Sequence, residues 1–223
     1  VPLALAQSYG MILLLNTLIG TSGTSIIDTT DFTGVVLPAM ITSILRQLLN
    51  VPQCEGVLFF VIGPEGSGKT TLTEALVSQV PSSGMVPFSK AISSHLDSLG
   101  SQKKHLVQQV RGLMAQRSKD IPSSFLYSAL RGALKKLGKP QVVAIEGFLR
   151  RPDQCEKAPD IVAEFFRDHL FVCVEAVCDR NIAHERAVAR KGTGDAASII
   201  SSCHDEYFGQ LDTIRKQIGR AHV

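Results

Sequence analysis

An unbroken apolar run leads directly into a glycine-rich loop about a quarter of the way along the 223-residue chain. The run is Val57–Ile62, and the loop reads Gly63-Pro64-Glu65-Gly66-Ser67-Gly68-Lys69-Thr70. Such a run is typical of a strand buried on both faces of a parallel sheet. The loop matches G-x-x-x-x-G-K-[ST], in which glycines let backbone N–H groups wrap a phosphate at a helix N-terminus. The sequence therefore predicts an α/β fold with a nucleotide-phosphate site.

Two residues of this loop have side chains suited to phosphate chemistry. Lys69 can reach the outer phosphates of a nucleotide as a point charge, and the Thr70 hydroxyl can bind Mg²⁺. The expected cofactors are therefore ATP and Mg²⁺, and the alternative is a glycine turn with a purely structural role. The predicted nucleotide-binding residues of this segment are Gly63, Glu65, Gly66, Ser67, Gly68, Lys69, Thr70 and Thr71.

Apolar periodicity after residue 56 alternates between strand-like and helix-like segments. Further strands are predicted at Val142–Ile145 and Leu170–Val174, while Thr21–Thr33, rich in Ser, Thr, Gly and Asp, predicts a loop. The alternation favours helices packed on a parallel sheet. The predicted helices are Thr70–Val80, Leu106–Arg117, Ser123–Leu137, Pro159–His169, Asn181–Arg190 and Ser198–Ile218.

The N-terminal segment differs from the rest of the chain. Val1–Ile27 carries no charge, but Gln7, Ser8 and Asn16 interrupt its apolar stretches, so we expect no membrane span. Val35–Leu49 has a helical apolar stripe, which indicates either a packing helix or a docking or dimerisation helix. We expect an N-terminal extension over residues 1–50 and a P-loop domain over residues 51–223.

Charge and cysteine content restrict the possible partners and compartment. The 23 Lys and Arg exceed the 20 Asp and Glu by only three, so no nucleic-acid partner is indicated. The excess lies after residue 60, which suits an anionic ligand in that part of the chain. Five cysteines without a C-x-x-C pair favour reduced thiols and an intracellular protein without a zinc site.

The segment after the second strand resembles a known family. Ile145-Glu146-Gly147-Phe148-Leu149-Arg150-Arg151-Pro152-Asp153-Gln154 is similar to the D-G-F-P-R-x-x-x-Q segment of adenylate kinases and related nucleoside monophosphate kinases. The segments 185–190 and 195–207 look like the two arms of that family's lid. The resemblance implies a three-layer P-loop kinase fold with a parallel sheet, an acceptor region at about 83–127 and a short lid at about 186–200.

The resemblance also implies an acceptor site and a metal site. Arg150 would hold the α-phosphate of the acceptor nucleotide, and Gln154 would bind the adenine edge. Glu146 stands where the family has an aspartate near Mg²⁺, so Thr70 and Glu146 form the implied metal site.

The donor phosphates would be bound by two further arginines. Arg186 and Arg190 are four residues apart, which places them on one face of a helix. They match the family's lid arginines. The implied catalytic residues are Lys69, Arg150, Arg186 and Arg190.

Several positions depart from the family pattern. Leu149 stands where the family has a proline before the acceptor arginine. Three arginines of the family are replaced in this chain by Ser94, by Thr193 or Gly194, and by Cys203, and the second aspartate of the family's lid is replaced by Ala196. The function of the lost arginines could be taken over by Lys90, Lys191 or Arg151.

The family's last strand is also incomplete in this chain. Further sequence, another segment such as Met11–Leu15, or a neighbouring subunit would have to complete the sheet.

Two classes of function therefore stay open. The first is an enzyme that transfers the γ-phosphoryl group of Mg·ATP to a nucleoside monophosphate, with AMP favoured. The second is a degenerate nucleotide-binding kinase domain that serves as a structural subunit of a cytoskeletal or organellar assembly, with residues 1–50 contacting protein partners. A small-molecule kinase of another P-loop family is a third alternative. The expected location is the cytoplasm, an organelle or the cytoskeleton.

Overall fold

The computed structural model describes residues 24–28, 45, 49–50, 54–100, 103–115, 121–191 and 196–220. Within these residues, five strands form one sheet in the spatial order β1-β5-β2-β4-β3, and every pairing among them is parallel. The strands are β1 (Thr24–Asp28), β2 (Gly56–Ile62), β3 (Ser83–Pro87), β4 (Val142–Glu146) and β5 (His169–Val177). The helices are α1 (Lys69–Ser78), α2 (Phe88–Ser98), α3 (Lys104–Ala115), α4 (Ser123–Leu137), α5 (Pro152–Ala163), α6 (Arg180–Lys191) and α7 (Ala196–Arg220).

Strand β2 divides the core into two apolar layers. All seven of its residues are buried, and successive side chains of a strand point to opposite faces of its sheet. Leu58 and Phe60 therefore pack with residues of α2, α4, α5 and α7, while Val57 and Phe59 pack with residues of α1 and with Leu45. Helices thus cover both faces of the sheet, and the predicted three-layer α/β fold is confirmed.

The prediction of a loop over Thr21–Thr33 is wrong for its central part. Thr24–Asp28 forms β1, which pairs with β5 from Thr24↔Cys173 to Asp28↔Val177. The residues Thr24, Ile26 and Ile27 are β-branched and suit a strand, and pairing with a distant edge overrides the local turn composition. A segment of this chain therefore extends the sheet beyond β5, although Met11–Leu15, the candidate for that role, lies outside the described residues.

The fifth helix begins earlier than its periodicity indicated. It spans Pro152–Ala163, whereas the sequence predicted Pro159–His169. Pro152 at the first helical position fits because its missing N–H is not needed there, and Pro159 lies inside the helix. Reading Pro159 as a helix start was the error.

Other predictions were right in type but not in extent. β5 runs from His169 to Val177, longer than the predicted Leu170–Val174. The sequence analysis assigned neither β3 nor α2, and most of the predicted helix Val35–Leu49 lies outside the described residues.

Within the part of the chain that the structure describes, no helix has both the length and the apolar character needed to cross a membrane.

An ion pair between an exposed arginine and a buried glutamate links α7 to the sheet. Glu175 of β5 is 2% exposed, and its two carboxylate oxygens accept hydrogen bonds from Nε and Nη2 of Arg215, each at 2.9 Å. A planar guanidinium paired in this two-point geometry defines both distance and orientation. The C-terminal half of α7 is thereby held against β5, and its N-terminal half extends toward the carboxyl ends of the strands.

Candidate active site

The phosphate loop connects β2 to α1 at the carboxyl edge of the sheet. Gly63 and Gly66 have φ values of 146° and 87°, which are unfavourable for residues with a side chain. At Gly63 a Cβ atom would also lie 2.7 Å from both the Ala176 carbonyl oxygen and the Ser67 Oγ. The glycines of the motif therefore allow both the turn and its close packing, and the loop leads directly into the N-terminus of α1.

Lys69 is the electrostatic centre of the site. Its Nζ donates a hydrogen bond of 2.6 Å to the Pro64 carbonyl oxygen, on the opposite limb of the loop. Burial lowers the pKa of Lys69 to about 8, and the positive charge of Arg150 is the next largest cause. Arg190 lowers this pKa further, while Glu146 and Glu65 raise it. Charged groups of the loop itself, of the end of β4 with the connection that follows it, and of α6 therefore act on one ammonium group.

The two residues of the implied metal site are in direct contact. The Thr70 Oγ1 donates a hydrogen bond of 2.8 Å to the Glu146 Oε1 at the end of β4. Register explains the contact, because Glu146 pairs with Val61 just before the loop. Among the described residues no group of three His, Cys, Asp or Glu could hold a metal ion. One hydroxyl and one carboxylate fit Mg²⁺ that takes its other ligands from phosphates and water.

Arg150 lies on the short connection between β4 and α5. Gly147 turns the chain there with a φ of 78°, and a Cβ at this position would lie 3.3 Å from the Arg150 Nη2. The Arg150 guanidinium group thus passes over Gly147, and Arg150 is exposed. Its positive charge is close enough to Lys69 to lower the pKa of that residue.

Gln154 has a structural contact that the sequence analysis did not assign. It is 3% exposed, and its Oε1 accepts hydrogen bonds from the backbone N–H groups of Arg150 at 2.8 Å and Arg151 at 3.1 Å. Gln154 is the third residue of α5, where such a side chain caps the helix. It therefore fixes the backbone that carries Arg150, and binding of the adenine edge stays a prediction.

Two substitutions at Gln154 separate these roles. Gln154→Ala removes the acceptor, and we expect the free energy of unfolding to fall by about 1–2 kcal/mol. Gln154→Glu keeps an acceptor oxygen but loses the amide N–H₂, so it should retain wild-type stability while revealing any contact with the base. Urea denaturation measures the loss of stability in Gln154→Ala. The KM for the acceptor nucleotide in Gln154→Glu shows whether the side chain contacts the base. Unchanged stability of Gln154→Ala would contradict the capping role.

The two predicted lid arginines both lie on α6 but have different surroundings. The Arg186 Nη1 lies 3.7 Å from the Cys178 Sγ, next to the end of β5. Arg190 is exposed and acts on the pKa of Lys69. Four residues, 192–195, join α6 to α7, so the connection between these helices is short.

The positions that lack the family's arginines lie on two helices. Ser94 is exposed on α2, and Cys203 is half-buried on α7, while Thr193 and Gly194 lie outside the described residues. Of the suggested replacements, Arg151 is engaged elsewhere: its Nη2 donates to the Ser123 Oγ at 2.9 Å. An ion pair with Asp153 at 3.3 Å adds to this bridge between α4 and α5.

The roles of the other two suggested replacements stay predictions. Lys90 is exposed on α2, and the side chain of Lys191 lies outside the described residues.

One contact to the phosphate loop had no signal in the sequence. The His204 Nε2 of α7 lies 2.8 Å from the Glu65 carbonyl oxygen, although 139 residues separate the two. A single histidine within a long helix has no pattern that indicates such a contact. The contact of the loop with α6 had a weak sequence signal, because two small residues, Ala183 and Ala187, are spaced four apart on that helix. Both are fully buried in the structure and allow close approach of the backbone.

The chain is similar to known nucleotide-binding proteins. No family model matches the chain. An adenylate kinase from Wolinella succinogenes is 25% identical over 160 residues, which cover 71% of this chain and 81% of the relative. The cell division ATP-binding protein FtsE from Mycobacterium tuberculosis is 33% identical over 196 residues, and this match covers 76% of this chain and 81% of the relative. With the phosphate loop and the parallel sheet, these similarities show that the chain belongs to the P-loop nucleotide-binding proteins.

Proposed function

We propose that this protein transfers the γ-phosphoryl group of Mg·ATP to a nucleoside monophosphate, with AMP as the favoured acceptor. The observation that supports this most is that the positive charges of Arg150 and Arg190 both lower the pKa of Lys69 in the phosphate loop. A loop that only bound ATP would need Lys69 and the backbone amides. Two additional arginines from separate elements suit a reaction that joins two nucleotides, each of which brings negative charge.

Phosphoryl transfer requires positioning and charge neutralisation more than covalent chemistry by the protein. The loop amides and Lys69 hold the donor phosphates, and Mg²⁺, when bound near Thr70 and Glu146, neutralises part of their charge. Arg150 holds the acceptor phosphate, since a planar guanidinium can bind two phosphate oxygens at once. Arg186 and Arg190 on α6 bind the donor from the lid side.

Support for AMP as the acceptor comes from similarity. The relative from Wolinella succinogenes is named an adenylate kinase, and the segment Glu146–Gln154 resembles that family's acceptor segment. The direct assay is production of nucleoside diphosphates from Mg·ATP with AMP, GMP, CMP and UMP in parallel. A reaction with Mg·ATP and no monophosphate is the control for simple hydrolysis of ATP.

Arg150→Met is expected to raise the KM for the acceptor by about 10- to 100-fold, with little change in the KM for ATP, because a charge-assisted hydrogen-bonded contact is worth about 1.5–3 kcal/mol. Steady-state kinetics with each nucleotide varied in turn measures both constants. Arg131→Met is the matched control, because Arg131 is an exposed arginine of α4 that is paired with Glu164 at 2.6 Å. An equal rise in both KM values would contradict the acceptor role.

The second candidate function is a nucleotide-binding subunit without turnover. Ser94 and Cys203 favour it, because they stand where the resemblance implies phosphate-binding arginines. Deleting residues 1–50 is a poor test of this hypothesis, since it would remove β1 from the edge of β5. A cleaner distinction is saturable binding of Mg·ATP by a preparation that forms no diphosphate with any of the four monophosphates.

A further inference from the structure

The apex of the phosphate loop lies between the two helices that flank the lid. On one side, the His204 Nε2 of α7 is 2.8 Å from the Glu65 carbonyl oxygen. On the other, a Cβ atom at Gly66 would lie only 1.9 Å from the Ala183 carbonyl oxygen of α6. The backbone of two successive loop residues is therefore in close contact with a side chain of α7 and with the backbone of α6.

His204 is well suited to a fixed hydrogen bond. The side chain is 1% exposed, and burial lowers its pKa, which favours the neutral ring. Because the partner is a carbonyl oxygen, Nε2 must carry the proton and donate it, while Nδ1 has no hydrogen-bond partner within the described chain. The rings of His184 and Phe208 meet it edge-on at 5.9 and 6.1 Å, and they restrict its rotation.

This hydrogen bond determines the direction of one loop amide. A trans peptide is planar, so its C=O and N–H groups point in opposite directions. With the Glu65 carbonyl held toward α7, the N–H group of Gly66 must point away from α7, and the peptide cannot flip without breaking the bond to His204.

We propose that His204 is a positioning residue that keeps the apex of the phosphate loop in its phosphate-binding shape and couples the loop to the lid helices. The proposal rests on the nucleotide site of the proposed function but not on phosphoryl transfer. His204 does not contact the reacting atoms; it acts through the Glu65–Gly66 peptide. Because α6 also carries Arg186 and Arg190, a movement of the lid helices would act on both the arginines and the loop.

The chain offers a matched control histidine. The His169 Nε2 also lies at hydrogen-bond distance from a backbone carbonyl, that of Pro140, at 2.9 Å, and its ring also meets an aromatic neighbour edge-on, Phe166, at 5.0 Å. His169 begins β5, opposite Gly56 and thus at the end of the sheet away from the phosphate loop. Loss of its hydrogen bond should affect stability but not the nucleotide site.

The test compares His204→Ala, His204→Gln and His169→Ala with the wild type. Binding of the fluorescent analogue mant-ATP with Mg²⁺ gives the Kd for the nucleotide. NMR-detected hydrogen exchange of the Ser67 amide in nucleotide-free protein shows how stably the loop keeps its conformation. That amide donates a turn hydrogen bond of 3.3 Å to Pro64. We expect His204→Ala to weaken binding about tenfold, as for loss of one buried hydrogen bond, and to accelerate exchange. His204→Gln, which retains an N–H donor, should recover both properties, and His169→Ala should change neither.

The outcomes separate this proposal from the proposed function. Wild-type Kd and wild-type Ser67 exchange in His204→Ala would overturn the positioning role, as would equal effects in His169→Ala. Absence of mant-ATP binding by the wild type would refute the nucleotide site, and Ser67 exchange would then decide alone whether His204 shapes the loop. Binding without phosphoryl transfer would leave the Kd comparison fully decisive.

Discussion

Lys69→Met is expected to reduce phosphoryl transfer by about 100-fold or more while the protein remains folded. Lys69 is the cation of the loop itself, and removing one preorganised charge-stabilising group from an active site costs about 10²–10³ in rate. Folding should not suffer, because burial of the ammonium group is itself unfavourable, which is the cause of the lowered Lys69 pKa, and methionine has no charge to bury. Methionine has a similar length without the charge.

The measurement is kcat with saturating nucleotides, together with a thermal melt of each variant. Lys135→Met, at an exposed position near the end of α4, is the control for removal of a positive charge. Wild-type turnover in Lys69→Met would show that the site is assigned to the wrong loop.

The lowered pKa of Lys69 also predicts how ATP affinity depends on pH. Bound phosphate favours the charged ammonium and therefore raises this pKa above its free value of about 8. Below pH 8 the group is already protonated, and affinity should be constant. As the pH rises above 8, binding must take up a proton, and Kd should increase about tenfold per pH unit. Titration between pH 7 and 9 tests this, and Lys69→Met should lose the dependence.

Gly66→Ala is expected to abolish measurable nucleotide binding. The added Cβ would lie 1.9 Å from the Ala183 carbonyl oxygen, and the residue would have to keep a φ of 87°. Since the conflicting atom belongs to the backbone of α6, no side-chain rotation can relieve it. Either the loop or α6 must move, and both contribute to the phosphate site.

The control for this substitution is Gly132→Ala on α4. A Cβ there has no neighbour within 4 Å, so the change should be neutral or stabilise the helix by up to about 1 kcal/mol. Binding of mant-ATP and the melting temperature are measured for both variants. Normal affinity in Gly66→Ala would mean that the contact between the loop and α6 is not required for the site.

Local patterns were enough to predict the centre of the fold. The apolar run Val57–Ile62 and the loop that follows it are contiguous, so strand, turn and helix could be read from one segment. The end of β4 at Glu146 was predictable in the same way, and parallel pairing then brought Glu146 to Thr70. Chemistry at the carboxyl edge of a parallel sheet follows directly from such strand ends.

What the sequence did not reveal depends on distant contacts. Thr24–Asp28 has no strong strand pattern, and it becomes a strand because β5 offers an edge to pair with. Gln154 was assigned to base recognition by resemblance, whereas its contact with the backbone of Arg150 depends on where α5 begins. His204 meets Glu65 because α7 packs on the sheet, through the buried Ile214 and Ile218 and through the ion pair between Glu175 and Arg215.

The most direct test of the central proposal is ³¹P NMR of Mg·ATP and AMP incubated with the wild-type protein or Lys69→Met. We predict that the wild type forms ADP from both nucleotides at a rate within the usual enzyme range of about 1–10³ s⁻¹. Formation should require AMP and should fall at least about 100-fold in Lys69→Met. Saturable ATP binding by the wild type with no more ADP than Lys69→Met produces would contradict the proposed transfer and favour a nucleotide-binding subunit.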